Sequence, residues 1–137
     1  MKKTLSFALL VLVFLATGIS AAKVPDLQGN WTGSWSGYDD EMGYSNLSEN
    51  GSILFNFEEQ KDRLFVGNLT IKLKNETTAS GGFAGAIGLD NKTLYITQFD
   101  TGYSLGSIIS NDEMELIYLS DGKGGSVAID RLHRIKA

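Results

Sequence analysis

From residue 28 onward the chain alternates apolar and polar side chains in short runs, each closed by a turn signal, and no stretch carries a helical period. Eight runs are legible, at about 28–38, 51–60, 63–74, 78–89, 93–99, 103–110, 113–120 and 124–135. The punctuation between them includes Asn50-Gly51, Lys61-Asp62, Asn75-Glu76, Asp90-Asn91, Asn111-Asp112 and Asp121-Gly122. These residues tolerate positive φ or bond their own backbone, and such short connections join antiparallel neighbours. The exception is Asp39 to Asn50, which the pattern leaves as one long loop. The pattern predicts an all-β antiparallel meander. At eight strands such a sheet rolls up and pairs its first edge with its last. The expected fold is therefore an eight-stranded antiparallel up-and-down barrel, with a β-sandwich as the alternative.

The period-2 phase names a core. Ile53, Phe55 and Phe57 share one face, as do Leu69, Ile71 and Leu73, and Trp31, Gly33 and Trp35. Phe83, Ile87 and Leu89 continue that face in the fourth run, and Met114, Leu116 and Tyr118 in the seventh. A slip of one residue would reverse each assignment, so register is well specified there. In the fifth, sixth and eighth runs both faces carry apolar residues and the phase stays open. Glycines inside runs, at 33, 67, 85 and 106, weaken a flat strand and suit one that must coil tightly.

The N-terminus changes the picture of where this fold works. Met1-Lys2-Lys3 is basic, Leu5 to Ile19 is apolar, and Ser20-Ala21-Ala22 offers small residues to a signal peptidase. Residues 1–22 read as a signal peptide and 23–137 as a single domain that is secreted or displayed on the cell-envelope exterior, with no membrane span in the mature chain. The chain has no cysteine, so neither a disulfide framework nor a thiolate site is available. Its net charge is −4, and loss of Lys2 and Lys3 with the leader makes the remainder more acidic still. An acidic surface repels phosphate backbones, which argues against a nucleic-acid partner. Asn30, Asn46, Asn50, Asn68, Asn75 and Asn91 each head an Asn-x-Ser/Thr triplet. On an exported chain these are candidate N-glycosylation sites, and Asn30 and Asn68 fall on the predicted outer face.

No catalytic or metal constellation stands out. His133 is the single histidine and has no nucleophile motif near it. Asp39-Asp40-Glu41 is the densest acidic run, without the spacing of a calcium loop. Glycines 81, 82, 85 and 88 precede a strand rather than a helix, so they form no phosphate-binding loop. No cofactor is implied. The plausible ligand contacts are aromatic: Trp31, Trp35, Tyr38, Phe55, Phe57, Phe83, Tyr103 and Tyr118.

Gly29-Asn30-Trp31 in the first run, with Arg131 and Arg134 in the last, resembles the calycin superfamily of lipocalins, fatty-acid-binding proteins and avidins. The resemblance implies a ligand-holding antiparallel barrel with Trp31 at its floor and Arg131 or Arg134 stacked over the indole. Strand count and length look most like the avidin branch. Gly33 stands where avidins place a polar biotin ligand, and both tryptophans lie in the first run, which argues against biotin. The chain also lacks the C-terminal helix of lipocalins and the helical lid of fatty-acid-binding proteins.

These observations lead to an exported, non-enzymatic binding module for a small apolar ligand in a narrow aromatic barrel, roofed by the 39–50 loop. The alternative is a cell-surface or inhibitor-type barrel that binds another protein or a glycan through its loops. A barrel enzyme working by positioning alone is a third reading.

Overall fold

The structure, a computed structural model, describes residues 22–46, 51–73 and 78–136; nearly all of the expected leader, together with Asn50 and Asn75, lies outside the described residues. The described strands are β1 (Gly29–Asp39), β2 (Gly43–Asn46), β3 (Gly51–Lys61), β4 (Leu64–Leu73), β5 (Thr78–Ile87), β6 (Thr93–Gln98), β7 (Gly102–Ser110), β8 (Glu113–Ser120) and β9 (Ser126–Arg134). Strands β3 to β9 pair in chain order, and β9 returns to β1 from the Trp31–Arg134 pair to the Asp39–Ser126 pair. All but β2 thus form a closed eight-stranded antiparallel barrel, as the alternation predicts.

Of the 39–50 segment, residues 39–46 differ from expectation, while 47–50 lie outside the described residues. Residues 39–46 contain β2, which folds back on β1 as a hairpin. Asp39 Oδ1 accepts from the backbone N–H groups of Glu41 and Met42 at 2.9 and 2.6 Å, and Gly43 takes a φ of 74°. That aspartate-anchored turn reverses the chain before Gly43, which the left-handed conformation favours. The Tyr38 and Tyr44 rings pack 5.3 Å apart across the hairpin.

One edge of β1 is occupied by β9, so β3 and β2 divide the other: β3 pairs Gly29 to Gly33, and β2 pairs Ser36 to Asp39. Continuing the β1–β3 register would set Trp35 opposite Gly51, but pairing stops at Gly33–Ile53. The wall therefore splays at the level of Trp35, at the end of the barrel where β1 finishes.

The unambiguous strands fix the phase of the ambiguous ones. Met114, Leu116 and Tyr118 point inward on β8, and their β7 partners are Ile108, Gly106 and Ser104. Gly106 and Ser104 thus sit beside Leu116 and Tyr118 on the inner face, which fills it without overpacking. The consequence is that Tyr103, Leu105 and Ile109 lie outside, although they form the more apolar phase of β7. Tyr95, Leu105 and Ile117 are successive cross-strand partners on this outer face. Two residues assigned to the core lie elsewhere. Leu89 is 89% exposed, because β5 ends at Ile87 and the Gly88 N–H bonds Thr93 O to open a turn. Leu73 sits at the last position of β4, on the barrel rim, and is exposed.

The end of the barrel opposite the splay is packed solid. Trp31, Phe55, Phe57, Phe65 and Phe83 are buried together with Ile87, Leu94, Met114, Leu116 and Leu132. Phe57 and Phe83 meet edge to face at 5.1 Å, and Phe55 lies 5.5 Å from Phe83, separations at which aromatic pairs attract beyond their area burial. Gly85 is required here: a Cβ on it would come within 2.4 Å of the Phe65 ring. Gly33 is required by the seam, where a Cβ would reach 1.8 Å from Arg131 O.

The lead-in seals this end. Leu27 is buried; its N–H donates to Gln60 Oε1 at 2.8 Å, and Gln60 Nε2 donates to Pro25 O at 2.8 Å. Trp31 Nε1 donates to Leu27 O at 2.9 Å. Arg134 lies over the Trp31 ring with its guanidinium carbon 4.3 Å from the ring centroid, and its nitrogens donate to the carbonyls of Asp26, Gln28 and Asn111. Of the two arginines considered for that cover it is Arg134, on the inward phase of β9, while Arg131 faces out to Glu115 at 3.1 Å.

Candidate functional site

Above the packed floor the inward positions change character. Gly37, Gly81, Gln98 and Ala128 replace bulky residues, and the aliphatic side chains of Ile53, Leu69 and Ile71 line the space. The strands splay at the same level. The result is a cavity of about 330 Å³ that opens at the β2 end, within the range of small-molecule sites, about 300–1,000 Å³. Trp35 and Tyr118 form its aromatic contacts, and Tyr38, Asp39, Phe99 and Val127 border the mouth.

Three polar groups lie at its depth. Asp130 is 4% exposed and stands opposite Trp35 on the β1–β9 seam, and its carboxyl makes no hydrogen bond or ion pair with any described residue. Burial alone pushes its carboxyl up to about 7, because removing a charge from water without a partner favours the neutral acid. Trp35 Nε1 is also buried and has no hydrogen-bond partner. Gln98 Nε2 donates to the buried Ser104 Oγ at 3.1 Å, which anchors that amide. Native interiors pair nearly all their buried polar groups. A lone acid beside an unpaired indole N–H thus marks this depth as unlike the floor.

The eight aromatic candidates separate by level. Trp35 and Tyr118 line the cavity and Tyr38 borders its mouth. Trp31, Phe55, Phe57 and Phe83 are buried in the floor and do not border the cavity, because neighbouring rings fill the space around them. Tyr103 is 51% exposed on the outer face, since the β7 register turns its small residues inward. Asp130, Gln98 and Ser104 were not singled out by the sequence. One signal bears on Asp130: if Arg134 covers Trp31, period 2 turns Leu132, Asp130 and Ala128 inward as well.

The described triplet asparagines are placed as follows. Asn30 and Asn68 are exposed on the outer face, each opposite Asn56 of β3, and Asn46 is exposed on β2. Asn91 sits at the turn after β5 with φ 55°, and its Nδ2 donates to Ala22 O at 3.1 Å. In the same turn Asp90 accepts from Thr93 Oγ1 and from the Thr93 and Lys92 N–H groups. Those donors, Thr93 foremost, hold its carboxyl down to about 2.

Among the described residues no group of three or more His, Cys, Asp or Glu is placed to hold a metal ion, and no helix is long and apolar enough to cross a membrane. The chain matches no protein-family model and no curated protein. Among solved structures it is similar to a redesigned β-barrel, with a TM-score of 0.57 at 14% identity over 80% of this chain and 92% of that one. At that identity the likeness concerns the fold: this chain is an antiparallel β-barrel.

Proposed function

We propose that this chain is an exported, non-enzymatic binding module that holds a small, largely apolar ligand in the open-end cavity. The observation that carries the reading is the contrast within one barrel: a floor packed with aromatic rings, and above it an apolar-walled space of about 330 Å³. A domain of this size would be more stable with that space filled by its own side chains. Its persistence above a sealed floor is what a ligand site needs. The Gly29-x-Trp31 motif with Arg134 at 4.3 Å from the indole also supports kinship with ligand-holding calycin barrels. Residues 1–22 and the exposed Asn30, Asn46 and Asn68 support export and glycosylation, which intact-mass measurement of the secreted protein tests.

The binding test is titration with a neutral, environment-sensitive naphthalene dye such as prodan. Saturable one-to-one enhancement is expected, weakened about tenfold or more by Trp35→Ala, which removes the largest ring of the cavity wall. Tyr103→Ala should leave it unchanged, because that ring lies outside. A folded protein that shows no saturable uptake would remove this reading.

A further inference from the structure

We propose that the cavity takes a compact amine, with its ammonium group on Asp130 and its apolar body against Ile53, Leu69 and Ile71. This rests on the ligand-binding reading and narrows it to a chemical class.

Three observations carry it. Asp130 is, among the described residues, the only buried charged side chain, and none of those residues neutralises it. A carboxylate accepts and never donates when ionised, so what it lacks is a donor, best a charged one. Second, the described residues that line the cavity include no lysine, arginine or histidine. Among the described residues an anionic ligand would meet no counter-charge there, and the charged groups of the lining are Asp130 in the wall and Asp39 at the mouth. Fatty acids and other carboxylates are therefore disfavoured by repulsion as well as by desolvation. Third, Asp130 lies opposite Trp35, with Tyr118 on the neighbouring strand also lining the space. Aromatic rings around a desolvated cation add attraction through their negative faces. An acid, aromatic rings and apolar walls without a basic residue make up a cation-selective set, and the net charge of −4 draws cations toward it.

An alternative occupant is a neutral alcohol or amide that bonds Asp130 in its protonated form. The two differ in pH dependence. Among the described residues the other titratable groups that share the cavity are Tyr118 of β8 and, at the mouth, Tyr38 and Asp39 of β1. Asp130 titrates near 7 when the cavity holds no cation. The ammonium needs the carboxylate, so amine affinity should fall by up to about tenfold per pH unit below 7, whereas a neutral ligand should show no such loss.

The experiment is calorimetric titration of the wild-type chain with three matched probes: 2-(1-naphthyl)ethylamine, 2-(1-naphthyl)ethanol and 1-naphthylacetate. Each is measured at pH 8 and pH 5.5, with prodan uptake as the reference. At pH 8 the amine should bind about tenfold or more tighter than the alcohol, and the carboxylate weakest. Asp130→Asn keeps the side-chain shape and removes the charge, and it should bring amine and alcohol within about threefold of each other. The wild-type ranking is decisive by itself, whatever the variant's stability. An alcohol or carboxylate that equals the amine on the wild type, or an amine preference that survives Asp130→Asn, overturns the proposal. In either case continued prodan uptake leaves the binding-module reading standing. If the folded protein takes up neither prodan nor any of the three, both fall together.

Discussion

Trp31 and Trp35 lie on the same face of the same strand, with only Gly33 between them on that face, yet they belong to two differently built halves of the barrel. The lower indole is buried, stacked under Arg134, and its N–H donates to Leu27 O. The upper indole faces a cavity, its N–H is buried without a partner, and the residue opposite it is an unpaired acid. Both sit against β9, so the difference arises on the other edge of β1. Trp31 is backed there by Phe55 of β3, whereas Trp35 falls in the interval between the β3 and β2 pairings. A closed barrel can thus put its stability into one end and leave the other free for ligand contact. The two indole N–H groups follow the same division: satisfied in the floor, unsatisfied in the cavity wall.

The contrast predicts unequal costs. Phe83→Ala removes a ring packed against Phe55, Phe57 and Phe65, and should destabilise the fold by about 3–5 kcal/mol in urea unfolding. Trp35→Ala, on a wall already bordering open space, should cost clearly less despite the larger side chain. Equal costs would erase the distinction between the halves.

Asp130 supplies the next largest effect. Its folded-state value is about 7, against an ordinary value of 3.8, so between those pH values the folded chain holds a proton that the unfolded chain has released. Stability should therefore decrease as pH rises from about 4 to 7 and then level off, by up to about 4 kcal/mol in all. Asp130→Asn should flatten that slope and raise stability at pH 8, measurable as the thermal midpoint against pH. An unchanged slope in the variant would mean that another group controls it.

Arg134→Ala should cost about 2–4 kcal/mol, because the floor loses the guanidinium stacked on Trp31 and three carbonyls lose their donor. Arg131→Ala removes only an exposed pair with Glu115 and should change stability by less than about 0.5 kcal/mol. These neighbouring arginines give the smallest and sharpest form of the comparison, since they differ chiefly in which way β9 turns them.

Much of this was legible in the order of residues. Alternation places eight of the described strands to within a few residues, and Trp31, Phe55, Phe57 and Phe83 read as interior because their phase leaves no choice. β2 was not legible: Gly43 to Asn46 is short, polar and flanked by turn residues, and it becomes a strand only because β3 leaves the upper edge of β1 unpaired. The candidate site was half legible. Trp35 and Tyr118 stand in strands of clear phase, whereas Gln98, Ser104 and Asp130 stand in the three strands whose phase the sequence leaves open.

What the sequence determined by itself is the local part: where strands begin and turn, and which faces must be dry wherever one phase is apolar and the other polar. Those features depend on a residue and its near neighbours, through backbone preference and a period of two. Only the tertiary structure decided that Tyr103 faces out and Asp130 faces in, because β7 and β9 take their inward phase from the strands they pair with, β8 and β1. It also decided that one indole finds a carbonyl and the other does not, since pairing along the edge of β1 is a competition between two partners that no single segment encodes.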